Sequence, residues 1–127
     1  MIEELKELQK NSYSPYFNFP VSAIVVTKDN KMFKGVNVEN ANGTSICAER
    51  NAIANAVCAG YKKGDFKEIN ILAPYGKIIT PCFACRQVII EFFNDDDIVN
   101  CYSIDGKCNT YKVSELCPHR FGSDDLK

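Results

Sequence analysis

The chain has 127 residues, of which 46% are hydrophobic and 24% are charged, a balance typical of one globular domain. Its formal net charge of −1 gives no general attraction to nucleic acid, and no apolar run approaches the roughly 20 residues that cross a bilayer, so we expect neither partner. The opening "MIEELKELQK" has no export signal, so we expect a cytoplasmic protein whose seven cysteines are thiols or metal ligands.

The first twenty residues predict a helix followed by an aromatic loop. Ile2, Leu5 and Leu8 recur at a spacing of three, with charged side chains between them, which indicates a short amphipathic helix that ends near Asn11. Residues 12–20, "SYSPYFNFP", contain two prolines and four aromatic side chains. This composition predicts a loop with an unusually apolar surface.

Five strands and two long helices are predicted after this loop. Residues 21–28 and 32–39 are rich in β-branched side chains and flank the Asp29-Asn30 turn, which indicates a hairpin. The remaining predicted elements are strands at 68–73, 98–103 and 110–113, long helices at 47–60 and 82–93, and a short helix after Ser114. This alternation predicts an α/β fold with a mixed, five-stranded sheet between helices on both faces, a three-layer α/β/α arrangement spanning 1–127 as a single domain.

Three cysteines near the two predicted helix starts suggest a metal site. Cys82 and Cys85 are three residues apart, so both can face one point from a single helical turn. Cys47 begins the other long helix. Three thiolates and one water make the open tetrahedral arrangement of a catalytic zinc, and an all-thiolate set favours Zn²⁺ over magnesium or calcium.

Charged residues beside these cysteines fit catalysis. Glu49 lies two residues after Cys47, where its carboxylate can accept a proton from the metal's water and pass it to a substrate nitrogen. Three thiolates on a doubly charged ion leave a net charge of about −1. Helix N-termini and a nearby guanidinium can offset that charge, and we expect Arg50 to donate to a thiolate, with Arg86 as a second candidate.

Two other interpretations of the cysteines remain open at the level of sequence. Cys82 and Cys85 could form a redox pair of the Cys-x-x-Cys type. A closed structural zinc would need a fourth protein ligand, and the available candidates are Cys58, Cys101, Cys108, Cys117 and His119. The nearby Cys-x-Glu motif favours the open catalytic site over both.

Cys-x-Glu followed by Pro-Cys-x-x-Cys resembles the signature of the zinc deaminases. More narrowly, "SPYFNFPVSA", "GVNVENA", "ICAERNAI", "PCFACRQVI" and "ELCPHRFGSDDL" resemble the small cytidine deaminases over nearly the whole chain. The resemblance implies a cytidine deaminase-like fold, one zinc per subunit, and hydrolytic deamination of cytidine and deoxycytidine in pyrimidine salvage. The three-cysteine ligand set is similar to that of the homotetrameric branch, so the resemblance also implies a homotetramer.

The same resemblance implies roles for residues that would contact a nucleoside substrate. Asn37 and Glu39 of "NVEN" correspond to contacts with the ribose, and Phe19 corresponds to an aromatic residue that packs on the ring. The backbone of Ala48 corresponds to a partner of the base. Phe121 resembles an aromatic side chain that reaches the active site of a neighbouring subunit.

One departure from the family keeps alternatives open. The turn "NANGTS" is slightly shorter than in the cytidine deaminases and lacks their aromatic residue. A deaminase of the blasticidin S type is therefore the small-molecule alternative. A zinc-stabilised module that binds nucleosides without turnover is the alternative from a different class, and it would have no need of Glu49.

Overall fold

Five strands form one mixed sheet in the computed structural model, which describes all residues from 1 to 127. The strands are β1 (Ser22–Thr27), β2 (Met32–Val36), β3 (Phe66–Leu72), β4 (Ile98–Tyr102) and β5 (Cys108–Lys112). The helices are α1 (Ile2–Gln9), α2 (Ala48–Cys58), α3 (Phe83–Phe92), α4 (Val113–Leu116) and a short 3-10 helix at Ser123–Leu126. None of these helices combines the length and the apolar character needed to cross a lipid bilayer.

The strand order across the sheet is β2-β1-β3-β4-β5. Strand β1 is antiparallel to both of its neighbours, β3 and β4 are parallel, and β5 is antiparallel to β4. A parallel pair needs a crossover connection, which α3 provides between β3 and β4. The predicted mixed sheet of five strands is therefore confirmed.

Helices cover both faces of the sheet because successive side chains of a strand point to opposite sides. Ala23 and Val25 of β1 lie in the larger core cluster, which includes buried side chains from α2 and α3. Ile24, between them, packs on the other face against Leu5 of α1 and Leu72 of β3. The three-layer α/β/α arrangement is confirmed, and Leu5 is the fully buried contact of the predicted amphipathic helix.

Strand β2 is shorter than the sequence predicts, since it ends at Val36 and not at Glu39. Beyond Val36 the chain pairs with other partners. The backbone N–H of Val38 donates to the Ile46 carbonyl at 2.9 Å, and that of Glu39 donates to the Tyr13 carbonyl at 2.9 Å. The segment after β2 thus joins the aromatic loop to the residues that precede α2.

A close contact between Gly35 and α2 sets the position of that helix. A Cβ atom on Gly35 would lie 2.3 Å from the backbone nitrogen of Ala52 and 2.5 Å from the carbonyl oxygen of Ala48. Both are backbone atoms, so the helix itself would have to move. Glycine is therefore required on β2 for α2 to pack at this distance.

We expect Gly35→Ala to lower the free energy of unfolding by about 1–3 kcal/mol or more, because a clash with backbone atoms cannot be relieved by rotating a side chain. Thermal unfolding followed by circular dichroism measures the change. Gly122→Ala is the matched control, since a Cβ at Gly122 would meet nothing within 4 Å. Equal melting temperatures for the two variants would contradict the close contact.

Candidate active site

The topology of the sheet brings the starts of α2 and α3 to the same edge. Strands β2 and β3 are both antiparallel to β1, so they run in the same direction. Helix α2 follows β2 and α3 follows β3, and each helix therefore begins near the carboxyl edge of the sheet. Cys47 and Cys82 are the N-cap residues of these helices, in extended conformation, so each helix begins one residue after the start that the sequence predicts.

The three predicted zinc ligands converge at this edge. The Sγ atoms of Cys47 and Cys82 are 3.9 Å apart, and those of Cys47, Cys82 and Cys85 all lie within 4.8 Å of one another. Sulfur atoms bound tetrahedrally to zinc at about 2.3 Å lie about 3.8 Å from each other. The three sulfurs therefore fit a zinc ion in both chemistry and spacing.

The group of potential ligands that the structure brings together contains these three cysteines and no fourth side chain. Cys101 is buried in β4, Cys117 is half-buried, and Cys58, Cys108 and His119 are exposed. A closed structural zinc would need one of them in the cluster. The geometry therefore favours a zinc site whose fourth position is open to a small molecule. It also disfavours a redox pair, because a Cys-x-x-Cys redox motif would need only Cys82 and Cys85, whereas the structure places Cys47 beside them.

Arg50 lies against the cluster. Its Nη2 atom donates to Cys47 Sγ at 3.4 Å and to the carbonyl oxygen of Ser45 at 3.1 Å. Hydrogen bonds from Cys85 and then Arg50 lower the pKa of the Cys47 thiol, whereas contact with Cys47 and burial raise the pKa of Cys85. The Nε atom of Arg50 is buried without an acceptor, so the guanidinium retains a free donor beside the sulfurs.

Arg86, the second candidate, has a different set of partners. Its guanidinium donates to the carbonyl oxygens of Pro81 at 2.8 Å and Leu116 at 2.7 Å, and to Thr80 Oγ1 at 2.9 Å. It also lies over the ring of Phe83, 4.6 Å from the centroid. Arg86 thus fixes the start of α3 to the preceding loop and to α4, and makes no hydrogen bond to a ligand sulfur.

We expect Arg50→Ala to weaken zinc binding by about 10- to 100-fold, which is typical when a residue that donates to a metal ligand is removed. Competition with a chromogenic chelator measures the affinity. Arg120→Ala is the control, because Arg120 pairs with Asp95 at 2.6 Å and touches no sulfur. Unchanged zinc affinity and an unchanged pH–rate profile in Arg50→Ala would contradict this role.

A pocket of about 220 Å³ opens beside the sulfurs and is lined mainly by hydrophobic side chains. Cys47, Cys82, Ala48 and Glu49 are among its lining residues, so two of the potential metal ligands and the carboxylate share one cavity. Glu49 is only 5% exposed in the first turn of α2. Burial raises the pKa of its carboxyl to about 7, and the neighbouring Cys47 thiolate adds to the shift.

Asn37 and Phe19 line the same pocket and are joined by a hydrogen bond. The Asn37 Nδ2 atom donates to the Phe19 carbonyl at 2.8 Å, while Oδ1 accepts from the backbone of Val21 at 2.9 Å and from the hydroxyl of Ser12. The Asn37 amide thus holds the aromatic loop in place at the wall of the pocket.

Glu39 is buried but does not line the pocket. Its carboxylate accepts hydrogen bonds from the backbone N–H groups of Tyr16 at 2.9 Å and Phe17 at 3.2 Å, and from the hydroxyl of Ser14. Although burial opposes the change, these bonds lower the pKa of Glu39. In this conformation Glu39 therefore orders the aromatic loop, 12–20.

Phe121 lies outside the pocket and is 58% exposed. Gln87 Nε2 of α3 donates to its carbonyl oxygen at 2.9 Å, which fixes the backbone of this C-terminal segment on the protein surface. Within one chain Phe121 lines a separate surface cavity that it shares with Arg86, and it does not reach the pocket beside the sulfurs.

Sequence reasoning missed the two serines that hold the loop and the aliphatic wall of the pocket. Ser12 and Ser14 bond the Asn37 and Glu39 side chains, and Ile79 forms part of the cavity just before the Pro-Cys motif. The alternation of serine with aromatic residues in "SYSPYF" was the available signal. This pattern does not distinguish the segment from an ordinary loop, because serine is common in turns.

Comparison with known proteins agrees with this geometry. A model of the "Cytidine and deoxycytidylate deaminase zinc-binding region" matches residues 1–101. A cytidine deaminase from Sporosarcina psychrophila is 36% identical over 99% of this chain and 92% of its own, and a probable cytidine deaminase from Dictyostelium discoideum is 39% identical over 98% and 84%. The crystal structure of cytidine deaminase from Burkholderia pseudomallei superposes with a TM-score of 0.90 at 40% identity, covering 94% of this chain and 95% of that one.

Proposed function

The chain belongs to the cytidine and deoxycytidylate deaminase family, and from this premise we propose that it hydrolyses cytidine and deoxycytidine to uridine and deoxyuridine with release of ammonia. The observation that carries the proposal is the meeting of three zinc-compatible sulfurs and a buried carboxylate in one small pocket. We treat residues 1–127 as one deaminase domain, because all five strands share one sheet.

Glu49 moves the protons of the reaction. A zinc ion, when bound by Cys47, Cys82 and Cys85, supplies the Lewis acidity that activates water for attack at C4 of the cytosine ring. The Glu49 carboxylate accepts one proton from the attacking water and delivers it to ring N3. It then accepts the second proton from the hydroxyl added at C4 and delivers it to the amino group, which departs as ammonia. Its place in the pocket wall beside Cys47 supports this role.

Three pocket residues, Ala48, Phe19 and Asn37, bind the nucleoside together with Glu39. The backbone N–H of Ala48 lies in the first turn of α2, where it lacks a partner inside the helix and can donate to the base. Phe19 packs on the ring, and Asn37 and Glu39 contact the ribose hydroxyls after exchanging bonds that they make to the aromatic loop. The apolar walls exclude water from the reacting atoms.

The protein forms a homotetramer in which Phe121 completes the active site of a neighbouring subunit. Phe121 is exposed and does not line the pocket of its own chain, which supports this arrangement. A solution mass of four chains is the expected result. A fully active monomer would exclude the role of Phe121 between subunits.

We place the enzyme in the cytoplasm, in pyrimidine salvage. None of the seven cysteines forms a disulfide, which agrees with a reducing compartment. No basic groove accompanies the pocket, and the net charge of −1 favours a free nucleoside over a nucleic acid strand as substrate.

An ultraviolet assay of the purified protein tests the proposed reaction. We expect turnover of cytidine and deoxycytidine, with one zinc per chain in the same sample, and little turnover of cytosine or adenosine. Blasticidin S belongs in the panel because the turn at residues 40–45 is short. Turnover of blasticidin S alone would replace the proposed substrate, and a zinc-loaded protein that turns over none of these compounds would refute the function.

A further inference from the structure

Tyr75 packs against Phe19, which lines the pocket. The two ring centroids are 5.4 Å apart and the ring planes are inclined by 66°, an edge-to-face arrangement. Tyr75 lies in the loop between β3 and α3, the same loop that supplies Ile79 to the cavity wall and leads to Cys82. Tyr75 does not itself line the pocket, and it is 48% exposed.

The backbone and the ring of Phe19 are held by different parts of the protein. The N–H of Phe19 donates to Ser14 Oγ at 2.9 Å, and its carbonyl accepts from Asn37 at 2.8 Å. These bonds fix the main chain but leave the side-chain torsions free. Tyr75 is the aromatic partner that restricts the ring.

Tyr75 is in turn supported by the turn between β4 and β5. Its carbonyl oxygen accepts a hydrogen bond from the backbone N–H of Ile104 at 2.9 Å. The Lys107 ammonium, which pairs with Asp105 at 3.5 Å, donates to the carbonyl of Gly76 at 3.3 Å. Two contacts from one hairpin therefore hold the backbone at Tyr75, even though its side chain is half exposed.

We propose that Tyr75 is a positioning residue that holds the Phe19 ring against the pocket and thereby sets the affinity for the pyrimidine nucleoside. The proposal rests on the proposed deaminase function. Without Tyr75, the Phe19 ring must be ordered when substrate binds, and that loss of side-chain freedom weakens binding. The proton transfers through Glu49 are untouched, so the effect falls on KM and leaves kcat within about twofold.

Substitution at Tyr75 tests this assignment by the split between KM and kcat. We expect Tyr75→Leu to raise KM for cytidine by roughly two- to tenfold, the range that corresponds to the loss of one aromatic pair. Tyr75→Phe should behave as the wild type, because the Tyr75 hydroxyl makes no hydrogen bond and the edge-to-face contact is retained.

Tyr61→Leu is a matched control. Tyr61 pairs with Phe33 at 5.3 Å and 62°, nearly the same geometry, but it follows the C-terminal end of α2 while Cys47 precedes the N-terminal end. Removing the Tyr61–Phe33 contact should lower the melting temperature and leave KM for cytidine unchanged. A similar rise of KM in Tyr61→Leu would show that any lost aromatic pair has this effect, and it would overturn the assignment.

Fluorine NMR gives a readout that does not depend on activity. The eight phenylalanines are replaced by 4-fluorophenylalanine, and the Phe19 signal is assigned from a Phe19→Leu sample. We expect this signal to shift in Tyr75→Leu and to stay in place in Tyr61→Leu. An unmoved signal, or an unchanged KM, in Tyr75→Leu would overturn the inference. If the wild type turns over no nucleoside, the proposed function fails by itself, and the Phe19 signal alone decides whether Tyr75 positions the ring.

Discussion

We expect the Glu49→Gln variant to keep both its zinc and its folded structure. Its kcat should fall by roughly 10³- to 10⁴-fold, the upper range for removal of a general acid–base group. Glutamine has nearly the shape of glutamate, so the buried site at the start of α2 keeps its packing. It cannot accept a proton from water and return it to the ring or to the amino group. A single carboxylate that serves several proton transfers has no replacement in the pocket.

The measurement pairs kcat with zinc content and melting temperature on the same sample. Glu91→Gln is the matched control, because Glu91 is exposed on α3 and the substitution removes the same charge without entering the pocket. We expect wild-type kinetics from that control. Normal turnover in Glu49→Gln would refute the proton-transfer role of Glu49.

The positions of the strands and helices could be predicted from the sequence because local signals mark them. The β-branched runs around Asp29-Asn30, the alanine-rich stretch before Gly60 and the Pro-Cys start at Pro81 each indicate an element within a few residues of its observed bounds. Local signals do not specify the order of strands. The central place of β3 and the close approach of Gly35 to α2 depend on contacts between distant residues.

The metal site could be predicted because zinc chemistry restricts it. Cys47, Cys82 and Cys85 are chemically suited ligands at helix starts, and two crossovers in the same direction bring those starts together. The surroundings were harder to predict. Arg50 and Arg86 are both adjacent to ligands in sequence, yet only Arg50 bonds a sulfur, because the Arg86 guanidinium is engaged by carbonyls of the loop and α4.

The aromatic loop shows the limit of prediction from sequence. Asn37 and Glu39 were expected to contact a sugar, and no local pattern shows that both also hold residues 12–20. Tyr75 carried no signal, since a tyrosine after proline in a loop is ordinary. Its contact with Phe19 joins two loops far apart in the chain, and only the folded structure brings them together.

The second large effect is expected from Cys85→Ser. We expect this variant to lose its zinc and to lose activity by about three orders of magnitude or more, because metal activation contributes several kcal/mol to transition-state stabilisation. A serine hydroxyl stays protonated at neutral pH and binds zinc poorly. Cys85 is fully buried in the first turn of α3, so no nearby solvent-exposed ligand can take its place without moving the helix.

Cys58→Ser is the matched control, because Cys58 is an exposed thiol at the end of α2 and lies outside the sulfur cluster. It should keep one zinc per chain and wild-type activity. Adding a chelator should lower the melting temperature of the wild type and of Cys58→Ser, because the metal stabilises only the folded state that binds it. The same chelator should leave Cys85→Ser unchanged. A Cys85→Ser protein that retains zinc, activity and a chelator-sensitive melting temperature would show that the three sulfurs are not the zinc site.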